Sequence, residues 1–125
     1  MSALLLALIQ TFSCNLNYTS GVAVLGEFSQ EQKLAMADKL IHKITSQDGL
    51  LELKANFPDL SDADLADIQI YKSIGKPIPT PDGQNDVYIN IRVKPRFPHF
   101  NEQAIGIFFF VKIQRELKEL QERQQ

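Results

Sequence analysis

The chain has 125 residues, 44% of them hydrophobic and 22% charged, with a net charge of −2 and a single cysteine, Cys14. That length suits one hydrophobic core, and the balance of apolar and charged residues excludes an intrinsically disordered chain. The mild acidity gives no global attraction to nucleic acid or anionic membrane, and one cysteine rules out an intramolecular disulfide framework.

Residues 1–20 form an apolar N-terminal segment, and the first charged residue is Glu27. Ala3 to Ile9 is an unbroken apolar run, too short for the roughly 20 residues that cross a bilayer. A secretory leader carries a basic start, whereas the first lysine here is Lys33, so the expectation is an intracellular, cytoplasmic protein with no membrane span. Ser2 to Phe12 has helical spacing, with Leu4, Leu5, Ala7, Leu8 and Phe12 near one stripe. Asn15 to Gly21 is rich in turn formers, and Val22 to Leu25 reads as a short strand closed by Gly26.

Ser29 followed by Gln32 is a capping box, with Phe28 placed to staple the first turn. Leu34, Ala37, Leu40, Ile41 and Ile44 then recur at helical spacing, and the helix is predicted to stop around Ser46-Gln47-Asp48-Gly49. Leu50 to Ala55 fits strand and helix equally. Phe57-Pro58-Asp59 breaks it, and Ser61 with Asp62 caps a short helical turn through Leu65. Asp67 to Ser73 alternates like a strand, and Gly75 to Asp86, with three prolines and two glycines, reads as a long turn.

Val87 to Lys94 carries the cleanest alternation in the chain. Val87, Ile89, Ile91 and Val93 share one face; Tyr88, Asn90, Arg92 and Lys94 share the other, predicted to be wet. Pro95 ends the strand, and Phe97-Pro98-His99-Phe100 is a second break. Asn101 caps a final helix from Glu102 to about Arg123, whose first half is apolar all round. Within it, the pattern over Ile105 to Ile113 also fits a strand. The predicted fold is one α+β domain over residues 1–125: a small antiparallel sheet with two main helices packed on one face.

Chemistry is thinly supplied. Cys14 lies in an uncharged segment with nothing nearby in sequence to activate it, and His42 and His99 are far apart without a cysteine partner. Asp59, Asp62, Asp64 and Asp67 lack the spacing and the glycine of a calcium loop. There is no phosphate-binding glycine motif. No catalytic, metal or cofactor residues are assigned, and the expectation is a protein without a cofactor.

Two surfaces are candidates. Tyr88, Arg92, Lys94 and Arg96 form a basic, aromatic-bearing stretch that suits an anion, with Tyr71 able to join them across the strand pair. Leu5, Leu8 and Phe12 at the N-terminus and Phe110, Ile113, Leu117 and Leu120 on the last helix are the candidate interface.

Val22 to Ile44, a short strand feeding into Ser29-Gln30-Glu31-Gln32-Lys33-Leu34-Ala35, resembles the first strand and helix of the tautomerase superfamily. Asp82-Gly83-Gln84-Asn85-Asp86, followed by a strand and a helix, resembles the second half of its longer members. The resemblance implies an N-terminal proline acting as base or acid, but residue 2 is Ser2 and some twenty residues precede the strand, so no catalytic position is carried over. The leading expectation is a non-catalytic assembly subunit acting through protein contacts, as a homo-oligomer or within a larger complex. The alternatives are a small tautomerase-like enzyme and anion or nucleic-acid binding through the basic strand face.

Overall fold

Local capping chemistry opens three of the helices in the computed structural model, which describes residues 18–75, 84–94 and 102–123. Ser29 accepts from the Gln32 backbone while the Gln32 side chain accepts from Ser29, opening α1 (Gln30–Ile44) with a complete capping box. Ser61 and Asp64 repeat the device for the short α3 (Asp62–Ala66). Between them, Ser46 caps α2 (Gln47–Asn56), so the ambiguous Leu50–Ala55 stretch is helical.

The segment predicted only to end α1 therefore also begins α2. Gly49 explains how the two helices sit so close: a Cβ built there would lie 2.0 Å from the Ile44 carbonyl oxygen. Only a residue without a side chain fits.

The strands are β1 (Tyr18–Ala23), β2 (Ile68–Ile74) and β3 (Val87–Val93), all antiparallel, in the order β1-β3-β2. Tyr18 to Gly21, predicted as turn, is strand: pairing with β3 runs from Tyr18↔Val93 to Ala23↔Tyr88 and overrides the turn tendency of Ser20 and Gly21. Gly75, at φ +84°, turns the chain out of β2 and donates its N–H to Asp86 at 2.7 Å. The helix α4 (Glu102–Arg123) has the predicted bounds, and Ile105 to Ile113 is helical throughout.

The core lies between one face of the sheet and the helices. Val87, Ile89, Ile91 and Val93 are fully buried, and Met36, Ala37, Leu40 and Ile44 of α1 meet the same cluster. From α4 come Ile105, Phe109, Ile113, Leu117 and Leu120, each at most 8% exposed. Burying five large apolar side chains contributes on the order of 10 kcal/mol before conformational entropy is counted. Ion pairs ring this layer: Lys72 of β2 reaches Asp38 of α1 at 2.6 Å, Lys43 of α1 reaches Glu116 of α4 at 2.7 Å, and Lys112 of α4 meets Glu52 of α2. Each pair has at least one well-exposed member, so water screens it and it fixes orientation more than it adds stability. The predicted helix at Ser2–Phe12 and the breaks at Pro95 and at Phe97–Phe100 lie outside the described residues.

Candidate functional site

On the sheet face away from the helices, side chains fall into cross-strand rows set by the register. Arg92 stands between Thr19 and Gln69, Asn90 between Gly21 and Tyr71, and Tyr88 between Ala23 and Ser73. This face was predicted to be wet along its whole length, and the structure corrects that. Tyr88 is 5% exposed and Asn90 is fully buried, whereas Arg92 and Lys94 are exposed.

Asn90 is held by a short polar chain: its Nδ2 donates to Ser73 Oγ at 2.8 Å, and that hydroxyl donates to the Gly75 carbonyl at 2.9 Å. Its Oδ1 has no hydrogen-bond partner among the described residues, and it lies 2.9 Å from where a Gly21 Cβ would stand. Gly21 thus makes room for the amide. Alternation read one face as buried correctly, but the state of the second face depends on packing that no local pattern carries.

The three described candidate anion-binding residues consequently do not all meet. Tyr88 is inside, Arg96 lies outside the described residues, and Arg92 and Lys94 come together at an open cleft of about 350 Å³. Ala66, Asp67 and Gln69 also line it. Two facts of the backbone bring these distant residues together. Gln69 is the register partner of Arg92, and the Lys94 N–H donates to the Asp67 carbonyl at 3.0 Å, closing the corner where α3 hands over to β2. Sequence reasoning found the two cations and missed Gln69 and Asp67, whose proximity follows only from the β2–β3 register.

The candidate interface on α4 is also redrawn. Ile113, Leu117 and Leu120 are core residues at 0%, 4% and 8% exposure, and Phe110 is half-buried against the same cluster. The a/d spacing that marked them is the inward stripe by which the helix covers the sheet. Leu5, Leu8 and Phe12 lie outside the described residues.

What α4 leaves outside is different. Ile107 and Val111, one turn apart, are 51% and 45% exposed. At 100° per residue they fall roughly opposite Phe109 and Ile113. Half-buried Phe108 and Phe110 flank them, and Phe108 is fixed edge-on to Phe57 with ring centroids 5.8 Å apart. The outward strip was legible in the all-apolar first half of the helix once the phase was set by the inward stripe.

Among the described residues, no helix is long and apolar enough to cross a membrane, and no group of three or more His, Cys, Asp or Glu side chains is placed to hold a metal. No family model, curated protein or solved structure matches the chain. The tautomerase resemblance therefore gains no support from relatives.

Proposed function

We propose that the protein is an assembly subunit that works through protein–protein contacts made by the outer face of the first half of α4. The observation that supports this is the pair Ile107 and Val111, about half exposed on a helix whose inward stripe is already filled. Isolated surface hydrophobics are ordinary, but a contiguous strip framed by two phenylalanines is the kind of surface that other protein covers. Its rim is polar, with Gln103, Gln114, Arg115 and Lys118 exposed around it. An apolar centre inside a polar margin is the usual anatomy of a contact patch.

A second copy of the chain is the first partner to test. In a two-fold arrangement with α4 antiparallel to itself, Ile107 of one copy packs on Val111 of the partner subunit, and each residue is used twice. The test is the solution mass by light scattering after size exclusion, run beside binding of the dye ANS. A defined oligomer supports the reading with self as partner. A monomer that binds ANS through this strip, and loses the binding in I107E/V111E, supports it with a different protein as partner. A monomer at micromolar concentration that binds no ANS refutes it.

A further inference from the structure

The cleft at the α3–β2 corner lies on the sheet face opposite α4 and plays no part in the proposed contact surface. We infer that it is a binding site for one small oxyanion, carried as a carboxylate or a phosphate on a small molecule. Arg92 and Lys94 both line it, joined by the Gln69 side chain from the neighbouring strand. A guanidinium presents a planar fork of donors that matches either oxyanion, and an ammonium adds a point charge beside it. The Gln69 amide brings further donors to the same wall. Arg92 and Asp67 are each already engaged within the fold, and a group with five donors serves a neighbour and a ligand together.

Charge and size decide the class of ligand. Among the described residues, two cations against the one carboxylate of Asp67 give the lining a charge of +1 in a chain whose net charge is −2. That favours a single compact anion and disfavours a polyanion, whose binding needs several phosphate-neutralising side chains along a track. Of the two tyrosines at the centre of this face, Tyr88 is buried and Tyr71 alone is exposed among the described residues, fewer than the succession of stacking rings a nucleic-acid strand uses. The volume of about 350 Å³ suits a metabolite and not a strand of nucleic acid. The backbone bond from Lys94 to Asp67 holds both rims in place without a ligand, so the site is preformed.

The test is a titration of the ¹⁵N-labelled full chain, followed by amide chemical shifts, with sodium phosphate and separately with sodium acetate at constant ionic strength. The expected result is saturable shifts confined to residues 66–69 and 92–94. Each of R92Q and K94Q should weaken binding by about tenfold, the loss expected for one charge-assisted hydrogen bond. Both side chains are exposed, so the variants should keep the dispersed spectrum of the parent, and either alone suffices as the probe. Phosphate saturating at the lower concentration assigns a phosphorylated ligand; acetate doing so assigns a carboxylate. Absence of saturation, shifts spread over remote lysines such as Lys39 and Lys118, or tighter binding of a single-stranded oligonucleotide than of either ion would overturn the inference.

Discussion

Gly49→Ala separates two physical effects of opposite sign. Gly49 is the third residue of α2, where helix propensity alone predicts that alanine stabilises by about 1 kcal/mol. The added methyl would stand 2.0 Å from the Ile44 carbonyl oxygen, 2.6 Å from its carbon and 3.0 Å from the Lys43 carbonyl oxygen. All three are backbone atoms at the end of α1, and Ile44 itself is 1% exposed in the core. Relief therefore requires α2 to move off α1 or the last turn of α1 to open, and Lys112–Glu52 and the Phe57–Phe108 contact both tie the α2 region to α4. The expected net cost is about 2–4 kcal/mol, near the upper range for single substitutions. In urea, with a slope of about 1.5 kcal/mol/M, the unfolding midpoint should fall by about 1–3 M. A midpoint unchanged or raised would mean that propensity wins and that the close α1–α2 junction is not as described.

Further substitutions test the other parts of the account. Ile113→Ala should destabilise by about 2–5 kcal/mol in the same urea assay, whereas Ile107→Ala should stay within about 0.5 kcal/mol, because only the first side chain is in the core. Equal effects would show that the inward and outward faces of α4 are misassigned. Ser29→Ala removes the capping box of α1 and should cost about 1 kcal/mol, and no loss would deny the cap any energetic role. Gly21→Ala places a methyl against the buried Asn90 Oδ1 and should lower the thermal midpoint by several degrees; an unshifted midpoint would mean that this face of the sheet yields easily.

Sequence pattern carried the elements whose reasons are local. The Ser29–Gln32 box, the acidic start of α4 at Glu102 and the alternation of Val87, Ile89, Ile91 and Val93 each announce themselves within a few residues. Misreadings fall where the cause is tertiary. Gly49 looked like a helix stop because its role, close approach to Ile44, is invisible without the partner backbone. Tyr18 to Gly21 looked like a turn because an edge strand draws its stability from β3 and not from its own composition. On the candidate surfaces, Arg92 and Lys94 were visible as cations, but their meeting with Gln69 and Asp67 depends on register. The stripe Phe110, Ile113, Leu117 and Leu120 is real as a periodicity, but Ile113, Leu117 and Leu120 are core and only half-buried Phe110 borders the outer face, since the same spacing marks a helix covering a sheet.

If the outer face of α4 is a protein contact surface for a second copy, the mass of the wild-type chain will differ from that of I107E/V111E. Half of each side chain remains to be buried, worth about 1 kcal/mol apiece, so a two-fold contact that uses both residues twice loses about 4 kcal/mol. That corresponds to roughly a thousandfold weakening of a self-assembled state. With a second copy as partner, the wild-type oligomer becomes a 14.2 kDa monomer in the double variant, which still unfolds cooperatively in urea but at a midpoint lowered by the lost association. An oligomer of the same mass and affinity in both proteins would contradict it.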